Sequence, residues 1–123
     1  MRLLLVDDEA AVLELLKRYL ERLGYEVDAC TGPEEALARF EALPERYSLV
    51  LTDLTLPGIS GEELLSRMRR TNPNLRGILA SGYPYQPTAR WVTFLQKPFL
   101  PKMLAEAVEQ ALKTPGSRPG PAG

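Results

Sequence analysis

Side chains that could carry phosphoryl chemistry follow four short apolar runs of this chain. In sequence order they are Asp7, Asp8, Glu9, Asp53, Ser81 and Lys97. Carboxylates held close together repel one another, so either their pKa values rise or a cation joins them. Oxygen ligands without histidine favour Mg²⁺ over Zn²⁺. With a hydroxyl and an ammonium beside it, this set suits transfer of a phosphoryl group to a carboxylate nucleophile.

The apolar runs alternate with segments of helical periodicity. We predict strands at 3–6, 25–30, 48–52, 75–80 and 92–95, and helices at 9–23, 33–43, 60–70 and 101–112. Buried strands that alternate with helices form a doubly wound parallel sheet, which is an α/β fold. Because ligands bind outside the C-terminal ends of such strands, we expect the acids, Ser81 and Lys97 to meet at one edge of the sheet.

The domain organisation is predicted to be simple. Residues 1–113 contain the whole strand and helix pattern, and 45% of the 123 residues are apolar, which is enough for a core. Residues 114–123 are rich in proline and glycine and are expected to form a disordered tail. We therefore predict one domain over residues 1–113.

Composition excludes several classes of function. The sequence has no histidine, which removes Ser-His-Asp and Cys-His catalytic arrangements and His-ligated zinc. Its 15 basic and 16 acidic residues give a net charge of -1, whereas a nucleic-acid or membrane-surface binder needs a basic excess. The sequence contains no run of ~18 apolar residues, the length that a membrane-spanning helix needs. Acidic residues follow Met1 too soon for a signal peptide. The one cysteine, Cys30, is expected in the core of a cytoplasmic protein.

Four motifs together resemble the receiver domain of two-component response regulators. They are Leu-Val-Asp-Asp-Glu at 5–9, Leu-Thr-Asp-Leu-Thr-Leu-Pro-Gly-Ile-Ser-Gly at 51–61, Ala-Ser-Gly at 80–82 and Phe-Leu-Gln-Lys-Pro-Phe at 94–99. The resemblance covers residues 1–113, and its wording is closest to the receivers of hybrid sensor kinases. It implies a five-stranded flavodoxin-like sheet of order 2-1-3-4-5, for which a chemotaxis receiver is a known example.

The resemblance also implies an acceptor and a metal site. By position, Asp53 matches the phosphate-accepting aspartate. Asp8 matches a direct Mg²⁺ ligand, and Asp7 matches the acid that acts through water. The backbone carbonyl of Thr55 matches a further ligand. The implied cofactor is therefore Mg²⁺, held by Asp7, Asp8, Asp53 and Thr55.

A second group of residues matches the family's switch. Ser81 corresponds to the hydroxyl that bonds the phosphoryl group, and Lys97 to the lysine that pairs with it. Phe94 stands where the family has a rotating aromatic residue, here without a tyrosine hydroxyl. Thr55 and Tyr83 lie two residues beyond the acceptor and the serine, where family members tune the lifetime of the phosphorylated state.

The implied function is that of a signalling module rather than an enzyme. A sensor histidine kinase or a phosphotransfer protein would donate the phosphoryl group from its own histidine, since this chain has none. No DNA-binding output domain fits within these 123 residues, and Met1 favours a stand-alone receiver over part of a hybrid kinase. The kinase, the output partner and the oligomeric state are not specified by the residues.

One departure from the family concerns its fourth helix. Receivers place that helix between the fourth strand and the fifth, where this chain has only residues 82–91. Pro84 and Pro87 oppose a helix there, because each lacks an N–H and restricts the residue before it. We predict at most one helical turn, at 87–90, so that the fourth helix is shortened or missing. Tyr85 and Trp91 should then cover the apolar surface that remains.

Two other classes of function stay open at this point. An aspartate-nucleophile phosphatase would need a second acid two residues after the nucleophile and then a threonine, which the Asp-Asp-Glu-Ala run at 7–10 does not supply. A receiver-like fold used only for docking, without phosphorylation, is the main alternative. A flavin site is not expected, because no glycine and hydroxyl phosphate loop follows the first strand.

Overall fold

The computed structural model describes residues 1–113, and the predicted tail at 114–123 lies outside the described residues. The strands are β1 (Arg2–Val6), β2 (Glu26–Cys30), β3 (Tyr47–Asp53), β4 (Arg76–Ser81) and β5 (Val92–Gln96). The helices are α1 (Ala10–Arg22), α2 (Pro33–Ala42), α3 (Gly61–Thr71) and α4 (Pro101–Lys113). A short 3-10 turn at Pro44–Arg46, which was not predicted, leads into β3.

The five strands form one parallel sheet in the order β2-β1-β3-β4-β5. This order confirms the predicted doubly wound fold. Each central strand is a run of buried residues, because helices cover both faces of the sheet. The C-terminal ends of β1, β3, β4 and β5 therefore lie side by side at one edge.

Alternation along the strands divides the core into two layers. On one face, alternate strand residues such as Leu3 and Leu5 pack against α1 and α4. On the other face, Leu4 and Val6 pack with α2 and α3. Cys30 is buried in this second layer, where burial raises the pKa of its thiol to about 11, so it is a protonated core residue as predicted.

Local sequence signals account for two of the helix ends. Gly24 follows α1 with a φ of 102°, a left-handed conformation that glycine adopts without a side-chain penalty. The N–H groups of Gly24 and Tyr25 donate to the carbonyls of Glu21 and Leu20, which is the Schellman pattern. At the start of α3, the Ser60 hydroxyl accepts a hydrogen bond from the backbone N–H of Glu63 at 3.1 Å, as the capping pattern predicts.

The segment between β4 and β5 is not helical. Residues 82–91, all of which the structure describes, form bends and a turn without a helix. Residues 1–113 thus form four α-helices, and none of them lies between β4 and β5. This confirms the prediction that the helix expected there is shortened or missing. Trp91 and Tyr85 pack on the core layer beneath α3, as expected. Gly77 leaves space for both Leu65 and Trp91, because a Cβ there would lie 2.8 Å from a methyl group of Leu65 and 3.1 Å from the indole ring.

A second charged cluster lies towards the end of the sheet opposite Asp7, Asp8 and Asp53. The Tyr47 hydroxyl donates to Asp28 at 2.6 Å, and the Arg2 guanidinium lies 3.0 Å from the same carboxylate. Burial raises the pKa of Asp28, but the hydrogen bond from Tyr47 and the charge of Arg2 outweigh it and lower the pKa on balance. This cluster is fully paired and ties β1, β2 and β3 together.

Among the described residues, no helix is both long and apolar enough to cross a bilayer.

Candidate functional site

Three carboxylates converge at the C-terminal edge of the sheet. Asp7 and Asp8 follow β1, and Asp53 is the last residue of β3. One oxygen of each lies within 4.8 Å of the others. Asp7 and Asp53 are buried, whereas Asp8 is exposed. The structure therefore brings the three predicted acids together, with Asp8 on the solvent side.

Lys97 joins this cluster from the end of β5. Its ammonium lies 2.5 Å from Asp53 Oδ1 and 3.2 Å from Asp7 Oδ2. Asp7 Oδ1 in turn accepts a hydrogen bond from the backbone N–H of Glu9 at 2.9 Å. Both oxygens of Asp7 are thus engaged by the protein itself. One cation faces two buried anions, so the cluster retains a negative charge.

Burial dominates the electrostatics of the acceptor candidate. Only 9% of Asp53 is exposed, and this burial raises the pKa of its carboxyl to about 6. The hydrogen bond from Lys97 opposes the rise, whereas the neighbouring Asp7 adds to it. Burial lowers the pKa of Lys97, but the two carboxylates raise it on balance. The site is therefore a crowded set of charges that a divalent cation would relieve.

Ser81 lies at the end of β4, between Asp53 and Lys97 in the order of strands. It is buried, and its hydroxyl oxygen accepts a hydrogen bond from the backbone N–H of Tyr83 at 3.1 Å. The Ser81 carbonyl accepts one from the backbone N–H of Lys97 at 2.8 Å. These two bonds fix the serine against both the following loop and β5. Its hydroxyl proton remains available to donate.

The other predicted site residues lie on β5 and in the loops that follow β3 and β4. Phe94, on β5, is half-buried, and its ring centroid is 6.2 Å from that of Tyr85. Thr55 is exposed in the loop after β3. Tyr83 points its ring into solvent, with 80% of the residue exposed. Thr55 and Tyr83 are thus both accessible to solvent.

Gly61, the first residue of α3, is a site residue that the sequence pattern did not identify. A Cβ at this position would lie 2.0 Å from the carbonyl oxygen of Asp53. The Gly61 N–H donates to the carbonyl of Leu54 at 2.7 Å. The capping pattern around Ser60 predicted where α3 begins, but not that the helix starts directly on the backbone of Asp53. The glycine lets α3 fix the end of β3.

The residues present fit a magnesium ion. The cluster offers carboxylate oxygens only, which are the hard ligands that Mg²⁺ prefers, and the exposed Asp8 gives it a route from solvent. An ion of this kind usually keeps several water ligands, so few protein ligands are needed. A cation here would also offset the excess negative charge described above.

Removing the ammonium should destabilise the chain. In metal-free buffer at pH 7, we expect Lys97→Ala to lower the free energy of unfolding by about 2 kcal/mol, because two buried carboxylates lose their partner. The expected loss is smaller than for a fully enclosed pair, since 28% of the Lys97 side chain meets water. Urea unfolding of the parent and of Lys97→Ala measures it, and Lys102→Ala, an exposed lysine on α4, is the matched control. Equal loss in both variants would contradict this assignment.

The same cluster should make stability depend on pH. Asp53 has a higher pKa when folded than its ordinary value of 3.8, so the folded chain binds more protons between about pH 4 and pH 6. The free energy of unfolding of the metal-free parent should therefore fall as the pH rises through this window. Urea titrations at several pH values should show a flatter curve for Asp53→Asn.

Comparison with known proteins identifies the family. Residues 3–109 match the response regulator receiver domain model. The sensor kinase CckA of Brucella abortus is 36% identical over 116 residues, which cover 89% of this chain and 12% of the kinase. The response regulator receiver protein CpdR of the same organism is 30% identical over 117 residues, which cover 90% of this chain and 96% of that protein.

Solved structures agree with the sequence relatives. The receiver domain of the hybrid histidine kinase CckA superposes with a TM-score of 0.82 at 38% identity, covering 91% of this chain and 99% of that domain. The response regulator TrrA of Thermotoga maritima, solved in complex with Mg²⁺ and BeF, gives a TM-score of 0.76 at 34% identity, covering 89% and 97%.

The chain is shorter than several of the regulators it resembles. It spans 12% of CckA and 54% of the regulatory protein VanRB of Enterococcus faecalis. The family match, the parallel sheet and the receiver structures agree, and the chain belongs to the response regulator receiver domain family, the phosphoacceptor signalling modules of two-component systems.

Proposed function

We propose that Asp53 is the phosphoacceptor of this receiver and that the chain works in the cytoplasm as a stoichiometric signalling module. The observation that supports this most is the juxtaposition of three carboxylates with the Lys97 ammonium at one edge of the sheet. Asp7 and Asp53 are both buried and in contact with the lysine, but Asp53 alone of the three acids ends the central strand of the sheet, β3. The single cysteine, a buried thiol, fits a reducing compartment.

The chemical step is attack by a carboxylate oxygen of Asp53 on the phosphorus of a partner's phosphohistidine. A P–O bond forms to give an acyl phosphate, and the P–N bond breaks, leaving its electron pair on the imidazole nitrogen. Lys97, now paired with Asp53, would pair with a phosphoryl oxygen instead. The partner that donates the group is a sensor histidine kinase or a phosphotransfer protein, and a further protein would receive the output signal.

Magnesium would be held by Asp8 and Asp53, with Asp7 acting through water and the Thr55 carbonyl as a further ligand. The engagement of both Asp7 oxygens, by Lys97 and by the Glu9 N–H, supports the indirect role of Asp7. When bound, the ion would neutralise phosphoryl oxygens and draw the phosphorus towards the carboxylate.

The proposed switch follows from the position of Ser81. Its hydroxyl can donate to a phosphoryl oxygen on Asp53 while still accepting from Tyr83, and Phe94 would rotate as the serine moves inward. Thr55 and Tyr83, both accessible to solvent, would control access of water to the acyl phosphate. The decay rate of the phosphorylated protein tests this last role, because Tyr83→Glu should shorten its lifetime, and an unchanged lifetime would remove Tyr83 from the account.

Intact mass spectrometry tests the acceptor assignment. After incubation with a small phosphodonor and Mg²⁺, the parent should gain the mass of one phosphoryl group, and Asp53→Asn should gain none. The variant keeps the shape of the side chain but loses the nucleophilic oxygen pair. If the parent gains no mass with any donor, the chain is a docking module that works without phosphorylation, which is the alternative function.

An apolar groove beside the site supports a protein donor. It has a volume of about 560 Å³ and lies between α1 and the segment that follows β5, next to Lys97. Its lining includes Val12, Leu15, Phe99 and Pro101. Leu15 is 61% exposed, and together with its neighbours in the groove it forms a contiguous apolar surface rather than a single exposed leucine. A donor whose histidine reaches Asp53 must cover this adjacent surface.

A substitution at Leu15 can therefore distinguish an effect on binding of the protein donor from an effect on the phosphoryl-transfer step. We expect Leu15→Asp to slow phosphoryl transfer from a histidine-phosphorylated donor protein by about tenfold, since it places a charge in an apolar contact. Transfer from a small phosphodonor should be unchanged. Leu23→Asp is the matched control, because Leu23 is also exposed but lies beyond the far end of α1. A loss of both reactions would mean that Leu15 supports the site rather than the partner.

A further inference from the structure

Tyr85 connects three parts of the molecule. It lies in the loop of residues 82–91, and its hydroxyl donates a hydrogen bond to Oε2 of Glu62 in the first turn of α3. Its ring packs against Phe94 of β5, with 6.2 Å between the centroids and 57° between the planes. The loop, α3 and β5 therefore meet at one half-buried tyrosine.

The two ends of the loop are held differently. At its C-terminal end, the Gly77 N–H donates to the Trp91 carbonyl at 3.0 Å, and the Arg69 guanidinium lies 4.4 Å from the centre of the indole ring. At its N-terminal end, the loop starts at Ser81, whose hydroxyl accepts from Tyr83. A shift of Ser81 is thus transmitted first to the half of the loop that contains Tyr85, while the Trp91 end stays attached.

We propose that the contact between Tyr85 and Glu62 is a latch that holds this loop against α3 before phosphorylation and must open for the receiver to switch. The inference rests on the proposed function, because it is the phosphoryl group on Asp53 that would draw Ser81 inward. The latch gives a role to two residues outside the acceptor site. They lie on α3 and on the loop of residues 82–91, which are in direct contact because no helix lies between β4 and β5.

The packing explains why the latch would oppose the switch. The Ser81 hydroxyl accepts a hydrogen bond from Tyr83, two residues before Tyr85, so an inward shift of the serine pulls on the segment that the Tyr85 hydroxyl attaches to Glu62. Phe94 lies against the Tyr85 ring, so rotation of Phe94 also changes the support of that ring. A contact present in only one of two states contributes to the free-energy difference between them. Losing the contact should therefore favour the switched state.

Two variants remove the latch from opposite sides. Tyr85→Phe keeps the ring on Phe94 but deletes the hydroxyl, and Glu62→Ala deletes the acceptor. Glu63→Ala is the control, because it removes an equal charge from the same helical turn, where Glu63 pairs with Arg67 at 3.0 Å. Each protein is titrated with beryllofluoride, a phosphoryl analogue, in the presence of Mg²⁺. The fluorescence of Trp91, the single tryptophan, reports binding.

Both latch variants should bind beryllofluoride about three- to tenfold more tightly than the parent. The double variant should gain no more than either single one, since both remove the same contact. Without the analogue, chymotrypsin should cleave after the aromatic residue at position 85 faster in the latch variants than in the parent or in Glu63→Ala.

The outcomes distinguish failure of the latch from failure of the proposed function. If the parent binds beryllofluoride but both variants bind it with the parent's affinity, the latch is wrong and the proposed function stands. Additive gains in the double variant would equally overturn the latch. If the parent does not bind the analogue at all, the proposed function fails, and the latch fails with it.

Discussion

Replacing Gly61 by alanine should destabilise the chain by about 3 kcal/mol, because the new Cβ has no room. It would lie 2.0 Å from the carbonyl oxygen of Asp53 and 3.0 Å from a methyl group of Leu79. The nearest obstacle is backbone rather than the end of a flexible side chain, so α3 and the end of β3 must separate. Urea unfolding measures the effect on stability.

Gly82→Ala is the matched control for that substitution. A Cβ on Gly82 would meet nothing within 4 Å, so its free energy of unfolding should change by less than about 0.5 kcal/mol. The Gly61 variant should also show a lower yield of phosphorylation per folded molecule, since the displaced strand end carries Asp53. Parent-like stability of Gly61→Ala would mean that α3 does not press on the acceptor residue.

Loss of the Asp8 carboxylate should reduce Mg²⁺ affinity at least about 100-fold, which exceeds the usual cost of removing a residue that only supports a ligand. Asp8 is the exposed acid of the cluster, and its carboxylate is free of the contacts with Lys97 and Glu9 that engage Asp7. We expect Asp7→Ala to cost less than Asp8→Ala for that reason. Isothermal titration of the three proteins with MgCl₂, without phosphodonor, measures the difference.

Binding of Mg²⁺ can also be measured through its effect on the free energy of unfolding. A ligand that binds only the folded state raises the free energy of unfolding in proportion to the logarithm of its concentration over its dissociation constant. Saturating Mg²⁺ should therefore stabilise the parent and Glu14→Ala, an exposed acid on α1 paired with Arg18, but not Asp8→Ala. Equal Mg²⁺ affinity of Asp7→Ala and Asp8→Ala would contradict their separate roles.

The sequence predicted the parts of the site that depend on strand order. Asp7, Asp53, Ser81 and Lys97 each follow an apolar run, and parallel strands bring such positions to one edge whatever the details of packing. The prolines at 84 and 87 likewise predicted the missing helix, because their effect on the backbone is local. Local and topological rules were sufficient for these features.

Features that depend on close contact between distant segments were not predictable. The contact of Gly61 with Asp53 requires the angle at which α3 meets β3, and no residue pattern encodes that angle. The bond between Tyr85 and Glu62 joins residues 23 positions apart across a loop of irregular backbone. The pairing of Tyr47 with Asp28 depends on the register of β2, β1 and β3. Each of these contacts became visible only with the assembled structure.

The most direct test of the central claim is to locate the phosphoryl group on the chain. The protein is incubated with a small phosphodonor and Mg²⁺, reduced with borohydride, which converts an acyl phosphate to an alcohol, digested and sequenced by tandem mass spectrometry. We predict homoserine at position 53, formed only with both donor and Mg²⁺ present. Conversion of another carboxylate, or absence of homoserine at position 53 in protein that had gained a phosphoryl group before the reduction, would contradict the account.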